Sequence, residues 1–441
     1  MHPERFLTTS LRSHPRGESV MRILSAAMRA VEPDEAVRRF VQREGQTLIV
    51  AGQVYDLEKT GRIRILGLGK AARAMTDLLA ECLAGHTPRG LLIPKQAFNS
   101  LWAGFEVQPG GHPIPNQNSL QAAAKALELV QNLSENDLLI CLVSGGGSAL
   151  MSAPQPGLTL YDLQSLTCSL LACGARIDEI NTLRRHLDRL KGGGLARAAA
   201  PAQVISLILS DVVGSPLEAI ASGPTAPDPT SKADALGVLK KYDLTGKIPS
   251  AIFKALENAP ETPKPGDGLF ARVQNFIVGS NLLAAQAALA QAKSEGFIPH
   301  FWGAAWQGEA RDVAKTLCKK LKSDAKRPFC MVAGGETTVT LRGAGLGGRN
   351  QELALAAVNE LAGVENVILV TLATDGEDGP TDAAGAVVTG DTKKRAQAMQ
   401  LDPDAFLNEN DAYHFFEPLG DLLQPGPSGT NVNDLIFLFG F

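Results

Sequence analysis

No stretch of this sequence approaches the roughly 18 uninterrupted apolar residues of a membrane-spanning helix, so an integral membrane role is not expected. Residues 1–21 scatter Glu4, Arg5, Arg12 and Arg16 among short apolar pieces and lack the continuous apolar core of a secretory signal, which points to a cytoplasmic protein. There is no C-x-x-C pair. The six cysteines, at positions 82, 141, 168, 173, 318 and 330, lie apart, several inside apolar segments, and read as buried, reduced thiols rather than a disulfide frame or zinc site. A formal net charge of -4 offers no general attraction to nucleic acid or to an anionic membrane, so any anion site must be local. Low-complexity tracts and internal repeats are missing as well. So are the P-loop pattern G-x-x-x-x-G-K-[ST] and the G-x-S-x-G nucleophile elbow.

What is present is an alternation of strand-length apolar runs and helix-period segments. Strands are expected at Arg62 to Leu66, Gly90 to Pro94, Leu138 to Val143, Val204 to Leu209, Gln274 to Val278, Cys330 to Ala333 and Val367 to Leu372. Helices are expected at Ala71 to Leu83, Ser119 to Leu133, Leu282 to Glu295 and Arg311 to Leu321. Such alternation predicts an α/β fold with mainly parallel sheets covered by helices, and ligands beyond the carboxyl ends of strands. At roughly 150 residues per domain, 441 residues suit two large domains. The Pro/Gly-rich stretch Pro260 to Gly268 is the best linker, which puts the domains at 1–260 and 261–441, the first forty residues forming a helical lead-in.

Four stretches carry chemistry. In "LLICLVSGGGSALM" an apolar run meets Ser144, Gly145, Gly146, Gly147 and Ser148, which either turn the chain or offer bare N–H groups to an anion at a helix start. "ILGLGKAARAM" matches the dinucleotide fingerprint as Gly67-x-Gly69-x-x-Ala72. The acidic residue that would hold a ribose about 20 positions on is missing, which disfavours NAD more than NADP. In the same stretch Lys70 enters a helix start, where a cation opposes the dipole unless an anion is bound.

Arg349 repeats that placement, with Asn350, after the Gly-rich turn of "GGETTVTLRGAGLGGRNQELALAAV", whose run Thr337 to Leu341 reads as a strand. Its planar guanidinium suits phosphate or carboxylate, the alternative being a structural salt bridge to Glu336. In "TLATDGEDGPTDAAGAVV", Asp375, Glu377, Asp378 and Asp382 crowd a strand end, and Asp211 follows another strand in "ILSDVVGSP". These acids either form turns or meet Mg²⁺ or a substrate hydroxyl. His112 is a pocket or turn residue, and His186 a structural one.

These motifs, with "GGHPIPNQNSL", "RRHLDRLKGGGLA", "GSN" and "TNVNDL", occur in the order and spacing of one family. From about Arg64 to its end the chain closely resembles the type II glycerate kinases, which join an N-terminal glycerate-kinase domain to a C-terminal MOFRL domain. The resemblance implies two α/β domains with the active site in the cleft between them. It also implies Mg²⁺-assisted transfer of phosphate from ATP to D-glycerate, usually at the 2-hydroxyl. It places the catalytic lysine on Lys70 and the catalytic arginine on Arg349, and assigns Ser144 to Ser148 to the nucleotide and phosphate pocket. Asn281, Glu336, Asn350 and Asp375 fall among the binding residues, and Asp211 and Asp378 among the metal ligands. One departure stands out: where the family often reads K-G-G-R-L-A, this chain has Lys191-Gly192-Gly193-Gly194-Leu195-Ala196, leaving Arg197 as the nearest substitute cation.

Small-molecule partners are implied, with a homodimer allowed and no role for nucleic acid or membrane. Two rivals are an NAD(P)H-dependent hydroxypyruvate reductase and a non-catalytic sugar-acid-binding protein.

Overall fold

The computed structural model describes residues 1–99, 102–322 and 326–441. The chain divides into two compact units. The central unit comprises residues 36–210 and 215–278; the terminal unit comprises residues 1–35, 211–214 and 279–441.

The central unit opens with a small antiparallel sheet, β1 (Val41–Glu44), β2 (Thr47–Val50) and β3 (Gln53–Asp56). Its main sheet contains β4 (Ile63–Leu68), β5 (Arg89–Ile93), β6 (Phe105–Val107), β7 (Leu138–Val143), β8 (Gln203–Leu209) and β9 (Val273–Gly279), in the order β6-β5-β4-β7-β8-β9. β4 to β8 run parallel. Every residue of β7 is buried, which is why Leu138 to Val143 reads as an unbroken apolar run. The chain winds outward through β5 and β6, then returns to place β7 on the other side of β4. Strand order therefore reverses between β4 and β7, the switch point beyond whose carboxyl ends sheets of this kind bind ligands. The helices Leu160–Ala172, Ile177–His186, Lys232–Lys241 and Ser250–Asn258 share an apolar core around Leu170, Leu183, Leu239 and Ile252.

The terminal unit is built on β10 (Ile298–Phe301), β11 (Trp306–Glu309), β12 (Phe329–Thr338), β13 (Val367–Ala373), β14 (Gly385–Thr389), β15 (Leu422–Leu423) and β16 (Asp434–Gly440). Here the expectation of mainly parallel pairing fails. β10 and β11 pair parallel with β12, but β16 lies antiparallel between β12 and β13, and β14 and β15 continue antiparallel. Two local expectations also change. The run Thr337 to Leu341 is strand only to Thr338, and β16, fully buried, was not among the expected strands.

The helical lead-in belongs with residues 279–441 rather than with the residues 36–260 that follow it. Helix Gly17–Arg29 packs its buried Val20, Ile23, Leu24 and Ala27 against helix Asn281–Ser294, whose Ala284, Ala285, Ala288 and Ala292 are all buried. An all-alanine face lets two helices approach closely, and nothing in the local sequence of either names its partner.

None of the six cysteines is in a disulfide. Cys141, Cys318 and Cys330 are buried as expected, whereas Cys168 and Cys173 are exposed. Among the described residues no helix is long and apolar enough to cross a membrane.

Candidate active site

In the central unit the two glycine-bearing loops meet at the switch between β4 and β7. Ser144 N–H donates to the Leu68 carbonyl at 2.8 Å, and Lys70 N–H donates to the Gly145 carbonyl at 3.2 Å. Gly69 has φ +113°, and a Cβ there would fall 2.4 Å from Ser144 Oγ and 2.5 Å from its carbonyl oxygen, so only glycine lets the loops close. The Ser144 hydroxyl is buried and accepts from Ala71 N–H at 3.0 Å. It staples the two loops together.

Gly146 has φ +87°, and the chain then forms a single helical turn, Gly147–Leu150, rather than a long helix. Ser148 Oγ lies 2.7 Å from Ser222 Oγ. Gly147 packs where a Cβ would sit 2.8 Å from that of Ala221. Ala221, Ser222 and Gly223 are three consecutive left-handed residues, and two non-glycines in that region concentrate backbone strain beside the loop.

Lys70 is exposed and makes no ion pair among the described residues. The helix just beyond it, Ala72–Cys82, has no side-chain cap on its N-terminus. Its positive end and the lysine therefore reinforce each other. The His112 ring lies over Gly146, where a Cβ would be 3.0 Å from His112 Cδ2. Burial lowers its pKa below the usual 6.5, and the Lys70 and Lys95 charges lower it further, so the imidazole is neutral. His186 is structural, as expected: buried, with Nδ1 2.9 Å from the Thr182 carbonyl and Nε2 3.0 Å from Glu261.

In the terminal unit, Glu336, Arg349, Asp375 and Asp378 line one cleft of about 600 Å³. Arg349 is the first residue of helix Arg349–Leu361. Its Nη1 donates to Glu336 at 2.7 Å, while Nε and Nη2 grip both oxygens of Asp434 at 2.6 and 3.2 Å. Burial would lower its pKa, but Asp434 and Glu336 more than offset this and drive it above the usual value. The structural alternative to an anion ligand is thus realised: Arg349 is paired, though only three of its five N–H groups are spent.

Asp378 fills this helix start. Its Oδ1 accepts from Asn350 N–H and from the Asn350 side chain, each at 3.2 Å, and Oδ2 accepts from Gln351 N–H at 2.8 Å. Gly348 makes room, since a Cβ there would lie 2.3 Å from Asp378 Cγ. Asp378 is therefore the helix cap rather than a ready metal ligand, and burial raises its pKa to about 7. Asn350 is buried behind it.

The Gly-rich turn preceding Arg349 offers few bare amides. Arg342 and Gly343 N–H donate to Asn410 Oδ1, Gly345 to the Glu409 carbonyl and Leu346 to Asp411. Asn281 Nδ2 donates to the Val432 and Asp434 carbonyls at 3.0 and 2.8 Å and so helps fix the start of β16. Asp375 is half-buried, with Asn431 Nδ2 3.4 Å from its Oδ2. Asp211 lies half-buried two residues beyond β8. No group of three His, Cys, Asp or Glu residues is arranged to hold a metal among the described residues. Arg197, the nearest substitute cation for the family's arginine, is exposed and donates from Nη1 to the Glu261 carbonyl at 2.9 Å. At position 194 itself a Cβ would lie 2.1 Å from the Arg189 carbonyl oxygen.

Sequence reasoning missed Asp434. The motif "TNVNDL" contains it, but its role depends on β16 pairing with β12, which sets residue 434 opposite Gly335.

Residues 19–257 match a family described as a domain of unknown function, DUF4147, and residues 329–434 match the MOFRL family. The D-glycerate 2-kinase of Thermotoga maritima is 39% identical over 421 residues, 94% of this chain and 96% of that one. A crystal structure of glycerate kinase from Thermotoga maritima superposes with a TM-score of 0.87 at 38% identity, covering 96% of this chain and 99% of that one. A protein of Agrobacterium vitis provisionally named as a hydroxypyruvate reductase is 37% identical over 383 residues, 85% of this chain and 86% of its own. With both family regions in order and nearly the full length of a glycerate kinase matched, the chain belongs to the glycerate kinase family that joins a DUF4147 domain to a MOFRL domain.

Proposed function

We propose that this protein transfers the γ-phosphoryl group of ATP to the 2-hydroxyl of D-glycerate, giving 2-phosphoglycerate and ADP. The observation that carries the reading is the contrast between two helix starts. That of Arg349–Leu361 is filled by Asp378, whereas that of Ala72–Cys82 has no side-chain cap and stands at the switch of a parallel sheet beside Lys70, which makes no ion pair among the described residues. A phosphate group is the ligand such a position favours.

In this mechanism the glycerate 2-oxygen attacks the γ-phosphorus as the bond to the β-phosphate oxygen breaks, and the hydroxyl proton passes to a carboxylate. Phosphoryl transfer requires in-line positioning and charge neutralisation more than covalent chemistry. Lys70 binds the transferring group, and the two unspent N–H directions of Arg349 bind it as well. Gly145 to Ser148 hold phosphate or carboxylate oxygens. Glu336 and Asp375 at the cleft, with Asp211, are hard oxygen donors of the kind Mg²⁺ takes, and one or two carboxylates suffice because phosphates and waters complete its shell. When bound, Mg²⁺ neutralises charge on the polyphosphate. We place the enzyme in the cytoplasm, where its unpaired cysteines stay reduced.

The test is to incubate the protein with D-glycerate, ATP and Mg²⁺, follow ADP release and locate the new phosphate by phosphorus NMR. No ADP release, or a 3-phosphate product, would overturn the assignment. The reductase reading rests on the Gly67-x-Gly69-x-x-Ala72 turn and on the name of the Agrobacterium relative. Against it, β5, the strand that would present the ribose acid, ends in Ile93 and is followed by Pro94 and Lys95. NADH consumption with hydroxypyruvate would support that rival.

A further inference from the structure

Adjacent arginines on helix Ile177–His186 have opposite fates. Arg185 is buried and well partnered: Nε donates to Asp228 at 2.8 Å, Nη1 to the Glu218 carbonyl at 3.2 Å, and Nη2 to Thr182 and Thr230 at 3.3 and 3.2 Å. Arg184 is largely withdrawn from water yet meets no carboxylate among the described residues; its Nη1 reaches only the amide oxygen of Asn181, at 3.3 Å. A guanidinium held this way lacks its counter-charge.

Arg184 lines a small enclosed pocket with Ser148, Ser152, Asp188 and Lys191, walled by leucines of the neighbouring helices. The one acid there is already neutralised. Asp188 pairs with Lys191 at 2.5 Å, and its oxygens also accept from Ser152 Oγ at 3.0 Å, Ala153 N–H at 3.0 Å and Leu190 N–H at 2.9 Å. Lys191 and Asp188 cancel, which leaves the pocket with the single positive charge of Arg184. Burial lowers the pKa of Arg184, and burial together with the nearby Arg184 lowers that of Lys191 against the pull of Asp188, as expected of a site with one cation too many.

The open space is about 40 Å³, room for about three water-sized groups. That suits a carboxylate and is too small for a triphosphate. Its wall includes Ser148, the last residue of the triglycine loop whose other end holds the Lys70 backbone.

We infer that Arg184 anchors the carboxylate of a small hydroxy acid in this pocket, which takes Ser148 of the triglycine loop as part of its wall. The inference rests on the proposed kinase reading for the identity of that acid. It assigns the loop a division of labour: substrate carboxylate at its Ser148 end, phosphate at the Gly145 end that holds the Lys70 backbone. A guanidinium in a leucine-walled pocket binds a carboxylate more strongly than one in water, because the local dielectric is low.

The test compares wild type with Arg184→Met and Arg184→Lys. For Arg184→Met the expected result is a KM for D-glycerate raised at least about 30-fold, with the KM for ATP within about threefold of wild type. The preference for D-glycerate over glycerol, which has no carboxylate, should collapse by the same factor. Arg184→Lys, which keeps the charge but not the fork, should fall between. Should Arg184→Met fail to fold, Arg184→Lys decides, and an unchanged KM for D-glycerate in the folded variant overturns the inference. Binding is read separately as the rise in Tm that D-glycerate causes without ATP. If wild type shows that rise but no turnover, the kinase reading fails, and loss of the rise in Arg184→Met still supports the anchor. A wild-type protein that neither binds nor phosphorylates D-glycerate overturns both.

Discussion

Arg349 and Asp434 form a two-pronged ion pair, Nε to Oδ2 at 2.6 Å and Nη2 to Oδ1 at 3.2 Å, at the point where β16 enters the sheet beside the first turn of helix Arg349–Leu361. The arginine is thereby both a structural partner and the proposed phosphoryl ligand, and the two roles can be separated. Asp434 is 7% exposed and Arg349 32% exposed at their side chains. Arg349→Ala strands a buried carboxylate and should cost about 3 kcal/mol, the low end for a broken buried pair because the arginine is partly open to water. Arg349→Met with Asp434→Leu should recover most of that stability in a denaturant titration while leaving turnover abolished. Recovery of kcat along with stability would show that Arg349 is structural only.

Lys70 should behave in the opposite way. It is exposed and unpaired among the described residues, so Lys70→Ala should change stability by less than about 0.5 kcal/mol. If it acts on the transferring group, kcat should fall on the order of 100-fold with a smaller change in KM. Steady-state kinetics beside a thermal melt checks both, and near-normal kcat would remove Lys70 from the mechanism.

Gly69→Ala tests the junction of the two loops. A Cβ would meet the Ser144 carbonyl at 2.5 Å, and φ +113° is closed to alanine, so the loops must part. The expected outcome is a lower Tm and a large fall in kcat/KM. An active variant with wild-type Tm would show that the loop contact does not position the site.

The cap at Asp378 predicts a pH dependence of stability. Its folded pKa, about 7, lies above the usual 3.8, so between these values the folded state holds a proton that the unfolded chain has lost. Stability from this group is complete below about pH 4 and declines as pH rises towards 7, by as much as about 4 kcal/mol across the window. Urea midpoints measured from pH 4 to 7.5 should therefore fall less steeply with rising pH in Asp378→Asn, whose amide oxygen still caps the helix. Parallel profiles for the two proteins would refute the assignment.

The division between what was legible early and what was not follows the range of the interactions. Leu138 to Val143 announces a buried parallel strand because both its faces need covering, and the turn chemistry at Gly69 and Gly146 is local, so the two loops after β4 and β7 could be read almost residue by residue. Asp378 read as a metal ligand because its one-dimensional surroundings are acidic. The helix amides it caps lie 28 and 27 positions away.

By itself the sequence determined the α/β class, the glycine turns, the two cations at helix starts and the family. Tertiary structure alone decided what each cation faces. β16 inserts antiparallel between β12 and β13 and thereby brings Asp434 to Arg349, whereas helix Ile177–His186 turns Arg185 to Asp228 and leaves Arg184 without an acid among the described residues. Backbone conformation is set by neighbours within a few residues, and charge pairing by whichever distant strand or helix packs alongside.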